Sequence, residues 1–147
     1  MLKIVCSLFV LVTVGLAQSS PDGSFSVHHY KDPNFSLNPA QMRDAENLYQ
    51  SVCSIVEHDF RDGAGKLHPQ FTVLVGAERN EVLGNTVHGK TGQNHDEIRL
   101  KKWDPVLFAQ GVVVLAFDQL LTEDLIRHLT ARAVHQTNAT VDVARLK

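Results

Sequence analysis

The chain has 147 residues, with 14 Lys and Arg against 16 Asp and Glu and a formal net charge of −2. That near balance excludes a general nucleic-acid binder, which needs a basic excess to neutralise phosphates. The length suits one domain with its own core and falls short of two.

The first segment reads as an address. Met1, Leu2 and Lys3 carry one positive charge ahead of an almost unbroken apolar run from Ile4 to Val14. Gly15 and Ala17 put small residues at the minus-three and minus-one positions before Gln18. This is the layout of a cleavable secretory signal over residues 1–17. The apolar run is too short for a spanning helix, which needs about 20 residues. Cys6 lies near the start of the apolar run instead of following it, so a lipoprotein signal is excluded, and no later stretch reads as a membrane span. The expectation is an exported protein, periplasmic or extracellular. Cys6 leaves with the signal, Cys53 is then alone, and no internal disulfide is possible. Asn34 and Asn138 open glycosylation sequons, which matter only in a eukaryotic secretory route.

Residues 18–37 are rich in Ser, Pro, Asp and Asn and read as a flexible leader ahead of a single globular domain, 38–147. His28, His29 and Tyr30 fall in that leader as a solvated segment. Asn38 and Pro39 then open a helix as N-cap and first helical residue. Met42, Ala45, Tyr49, Val52, Cys53, Val56 and Phe60 recur at steps of three and four, a helical apolar stripe. Cys53 on that stripe is a small buried hydrophobe. His58 is off its face, so a Cys–His nucleophile is disfavoured.

Gly63, Gly65 and Pro69 turn the chain. Phe71 to Val75 is a strand by its β-branched and aromatic content. Residues 78–83 read as a short helix or loop, and 84–96, with three glycines, as a loop or hairpin. Glu97 to Leu100 alternates, a strand with one wet face. Asp104 and Pro105 cap a second helix that is apolar on nearly every side to Leu121, hence buried and central. Thr122, Glu123 and Asp124 start a third helix, with Leu125, Leu129 and Ala133 inward. Residues 140–143 read as a short strand or extended tail.

The sharpest motif runs from Gly84 through His88, Gly89 and Lys90 to Thr91 and fits G-x-x-x-x-G-K-[ST]. In a phosphate loop, backbone N–H groups wrap the phosphates, the Lys reaches the terminal ones and the Thr binds magnesium. The context opposes it. The strand 71–75 ends well before Gly84, and Gly92, Gln93, Asn94 and His95 make a poor helix start, so the helix dipole for an anion is missing. An exported protein also meets little nucleotide. His88 and His95, with Asp96 and Glu97, form a weak loop metal candidate. His128 and His135 are two turns apart on the third helix, too far to share one ion. No H-E-x-x-H and no G-x-S-x-G occurs. Asp96 with Glu97, and Glu123 with Asp124, read as loop charge and helix capping. No residue is therefore assigned a catalytic role, and no cofactor is expected.

The strings Phe71–Gly76, Glu97–Asp104 and Phe108–Ala116, with the ending Ala139–Val143, resemble an uncharacterised family of small exported bacterial proteins. The order of elements is similar to the N-terminal half of zincin metallopeptidases: a backing helix, strands, an edge strand, then a central helix. In zincins that helix carries H-E-x-x-H. Here it has neither His nor Glu, so the resemblance implies a zincin-like protein without zinc chemistry.

Together these readings predict an α+β domain, a small sheet packed on three helices with the helix of about 104–121 at the centre. The function expected is a non-enzymatic exported binding or envelope-associated module, its partner an unknown protein or small ligand. The alternative is a hydrolase with a loop metal site or a nucleotide binder using residues 84–91.

Overall fold

A computed structural model describes residues 17–62, 65–88, 93–117 and 120–137; for 85–88 and 93–94 it describes the backbone. Eight elements follow in order: β1 Gln18–Ser19, β2 Phe25–His29, α1 Pro39–Phe60, β3 Phe71–Val75, β4 Glu81–His88, β5 Gln93–Leu100, α2 Pro105–Ala116 and α3 Glu123–Thr137. The sheet order is β1-β2-β3-β5-β4. β2, β3 and β5 run parallel, and antiparallel β1 and β4 close the two ends. The architecture is α+β, as expected. Among the described residues, no helix is long and apolar enough to cross a membrane.

Strand alternation decides which face of the sheet is covered. The register aligns Phe25 with Phe71 and Asp96, then Val27 with Val73 and Ile98, then His29 with Val75 and Leu100. The apolar members of these rows are all buried. α1 and α2 pack on this face. Tyr49 of α1 meets Phe25 and Phe71 at ring distances of 5.9 and 6.1 Å, and Phe108 of α2 meets the same two rings at 5.2 and 5.9 Å. α3 packs against α1 and α2, burying Leu129, Thr130, Ala133 and Val134.

The helix starts follow the cap chemistry. Asn38 Oδ1 accepts from Gln41 N at 2.8 Å and Gln41 Oε1 accepts from Asn38 N at 3.0 Å, a reciprocal box. Asp104 Oδ1 accepts from the backbone N–H groups of Val106 and Leu107 at 3.0 and 3.2 Å. Leu125 N donates to Thr122 Oγ1 at 3.3 Å, the expected cap of α3.

Three expectations need correction. Residues 18–37 are not a leader outside the domain. β1 and β2 lie in them, and Phe25, Val27 and Leu37 join the core. Their polar composition misled because Asp22 uses its carboxylate locally, accepting from Ser20 Oγ at 2.9 Å and Ser24 N at 3.0 Å in the β1–β2 turn. Residues 81–83 belong to strand β4, where pairing with β5 outweighs weak local preference. α2 ends at Ala116, because Phe117 is extended and the Ala116 carbonyl accepts from Lys66 N at 3.0 Å. Phe117 then sets its ring edge-on to Phe60 at 5.7 Å. Residues 1–16 of the expected signal at 1–17 and the expected strand at 140–143 lie outside the described residues.

Gly111 lets α2 approach β5. A Cβ there would sit 2.6 Å from Ile98 Cδ1 and 3.0 Å from Ile98 Cγ1, and Ile98 is fully buried. Overpacking costs about 1–3 kcal/mol, while Ala gains at most ~1 kcal/mol over Gly in helix propensity. We expect Gly111→Ala to lower the thermal midpoint, with partial recovery in the double variant with Ile98→Val. An unchanged midpoint would contradict the close approach.

Hydrogen bonds from the Ser24 side chain and backbone hold the Asp22 carboxyl below the ordinary aspartate range. Its folded-state value is depressed, so its contribution to stability is complete above the unfolded value and is lost as acid protonates it. Gln50 Nε2 also donates to Asp22 Oδ2 at 3.1 Å, tying the turn to α1. We expect Asp22→Asn to flatten the fall of the thermal midpoint below about pH 4. Parallel acid limbs in the two proteins would exclude this.

Candidate functional site

The phosphate-loop motif does not fold as one in its first half. Gly84 and the four residues after it belong to β4, which pairs antiparallel with β5 through Thr86 opposite His95 and His88 opposite Gln93. The chain thus returns along a strand, where a phosphate loop requires a helix start. Gly89, Lys90 and Thr91 lie outside the described residues.

The backbone places the loop metal candidates His88 and His95 on neighbouring strands, and the side chain of His88 lies outside the described residues. In the β4–β5 register His95 is opposite Thr86 and His88 is opposite Gln93. His95 Nε2 lies 3.8 Å from Glu97 Oε2 on its own strand. Among the described residues, no group of three His, Cys, Asp or Glu is placed to hold an ion. His128 and His135 are exposed on α3. His28 and His29 are ordered by β2 and used locally. A ring nitrogen of His28 lies 3.3 Å from Ser26 Oγ, and His29 Nδ1 accepts from the backbone N–H groups of Lys31 and Asp32. The His29 ring lies against Gly76, whose φ of +83° and bare Cα permit the contact.

The residues that do come together are Asp96, which the sequence reads as loop charge or a metal candidate and the structure places in strand β5, and Lys66, which the sequence does not mark. Asp96 stands on the helix-facing side of β5, in the row of Phe25 and Phe71, with its side chain 3% exposed. A carboxylate in such a row must be paired. Lys66 Nζ donates to Asp96 Oδ2 at 2.5 Å, and the Lys66 side chain remains 36% exposed. The spacing Asp96, Ile98, Leu100 carries the signal: alternation places Asp96 on the inner face with two core residues. Lys66, in a turn, had no comparable marker.

This pair lines a cavity of about 400 Å³ whose other walls include Val82, Val114, Phe117, Leu121 and Ile126. Gly84, across from Asp96, leaves the space open: a Cβ there would still be 3.8 Å from Asp96 Oδ1. A second cavity of about 240 Å³ shares Val82, Val114 and Ile126 and continues past Leu107, Gln110 and Gly111. The two form a groove between edge strand β4 and α2. Leu120, fully exposed, stands on its rim.

A larger cavity of about 570 Å³ lies near Tyr30, Leu74 and Arg99. Several of its charges are paired: Arg79 donates to both Glu81 oxygens at 3.2 Å, and Arg99 reaches Glu81 at 3.6 Å and bonds Glu97. The groove on the helix side is the more apolar of the two. Its described lining is mostly apolar, with the Lys66–Asp96 pair in the first cavity and Asn80, Glu81, Arg99 and Gln110 in the second.

Cys53 is buried, and burial pushes its thiol up to about 11. The thiolate is the nucleophile, so this side chain is inert at neutral pH. In a Cys6→Ser background, we expect no iodoacetamide labelling of the native protein at pH 7 and labelling of Cys53 once it is unfolded. Rapid native labelling would overturn the assignment.

Comparison with known proteins finds no matching family model, no matching curated protein and no matching solved structure.

Proposed function

We propose that this protein is an exported, non-enzymatic binding module of zincin-like build, and that the groove between β4 and α2 is its binding site. One observation carries the reading. α2 turns Leu107, Gln110, Gly111 and Val114 toward the groove, with no His and no Glu among them. A zinc peptidase needs two imidazoles and a carboxylate general base from that helix. The order α1, β3, antiparallel edge strand β4, β5, α2 supports the zincin-like comparison. The signal-like segment 1–17 supports export. Apolar clefts of a few hundred Å³ with a small number of polar groups are the usual form of small-ligand sites.

The competing readings are a loop metal hydrolase at His88 and His95 and a nucleotide site at residues 84–91. Each predicts a ligand effect that the binding-module reading does not. We expect the neutral dye Nile red to gain fluorescence on the native protein and to lose that gain in Ile126→Glu, which puts a charge in the groove from a half-exposed helix position. We also expect substoichiometric zinc in the purified protein and no magnesium–nucleotide effect on its thermal midpoint. Tight equimolar zinc, or a nucleotide shift abolished by Lys90→Ala, would replace this reading with an enzymatic one.

A further inference from the structure

We propose that the groove takes a medium-chain fatty acid, its carboxylate on Lys66 and its chain along Val114 and Ile126; this rests on the groove being the binding site. The ion pair is asymmetric. Asp96 is 3% exposed and Lys66 is 36% exposed, so an incoming molecule meets the ammonium with the carboxylate behind it. A lysine ammonium carries three N–H donors, and the bond to Asp96 uses one. The remaining donors suit an anionic oxygen, which makes a stronger hydrogen bond than a neutral one.

The rest of the cavity sets the body of the ligand. Apart from Lys66 and Asp96, its described lining is glycine and apolar side chains. Such a wall offers no partner to further polar groups, and burying them unpaired is costly. The cavity of about 400 Å³ continues into the second one along Val82, Val114 and Ile126, which gives a chain a direction to extend; the second cavity is also lined by Asn80, Glu81, Arg99 and Gln110. Lys66 is fixed at its place twice, by its side chain to Asp96 and by its backbone N–H to the Ala116 carbonyl. The head-group site is therefore held before ligand arrives, which lowers the ordering cost of binding.

The test is calorimetric titration of the full chain with octanoate, octanol and octylamine, all below their aggregation concentrations. We expect octanoate to bind roughly tenfold tighter than octanol, since a charged acceptor replaces a neutral one, with octylamine weakest. From hexanoate to octanoate, affinity should rise roughly fourfold per methylene, the usual gain for a buried CH₂. Lys66→Arg should keep the preference for the carboxylate, and Lys66→Met should reduce octanoate to the level of octanol. If Lys66→Met does not fold, the comparison of octanoate with octanol on the native protein decides. Equal binding of the two overturns the assignment of Lys66 while the groove stands. Nile red binding without any binding of the C8 ligands overturns the fatty acid. Loss of both leaves neither the ligand nor the groove.

Discussion

The fold depends on one aromatic contact set. Phe25, Tyr49, Phe71 and Phe108 come from β2, α1, β3 and α2, and their rings meet at 5.2 to 6.1 Å. Each such pair contributes about 0.5–1.5 kcal/mol beyond the area it buries. The set also fixes direction. β2 and β3 are parallel neighbours, so the chain between them must cross over, and α1 makes that crossing with Tyr49 turned onto both strands. Tyr49 can sit so deep because its hydroxyl donates to the Pro69 carbonyl at 3.1 Å. Burial pushes that hydroxyl up to about 12, so it remains a neutral donor at any physiological pH.

Asp96 stands beside this set, at the next strand in the row of Phe25 and Phe71. The row is apolar at β2 and β3 and becomes ionic at β5, where the helix layer gives way to the groove. A carboxylate buried there needs compensation, and Lys66 supplies a cation against it. Breaking a buried pair by removing one partner is far more damaging than never having built it. The pair therefore marks a boundary between a core that excludes water and a cleft that can admit a ligand.

Legibility followed the period of the pattern. α1 and the strand at Phe71–Val75 were readable because cap residues and apolar spacing agreed over their whole length. The start of α2 was readable from Asp104 and Pro105. Its end was not, because the stop comes from Lys66, fifty positions earlier, and no local breaker announces it. β2 was missed for the opposite reason: its five residues alternate Phe25, Val27, His29 against Ser26 and His28, but the Ser and Asp around them suggested a tail. β4 was missed because an edge strand paired on one side needs little intrinsic preference of its own. The phosphate-loop letters were legible and misleading. A backbone motif works only where strand gives way to helix, and here Gly84 to His88 is strand leading to strand.

The groove itself is a consequence of where α2 stops. Had the helix continued to Leu121 as its apolar run suggests, its last turn would lie where the chain now departs in extended form at Phe117. Instead Phe117 folds back onto Phe60, and Leu121 becomes part of a wall. The residue that accepts responsibility for that stop is Lys66, whose backbone N–H satisfies the Ala116 carbonyl left open by the ended helix. The same residue's ammonium is the polar point of the cavity. Helix length, cavity and head-group site are thus set through one turn residue. Where α2 and β4 offer the first cavity apolar side chains and a glycine, a lysine from outside both elements supplies its exposed charge.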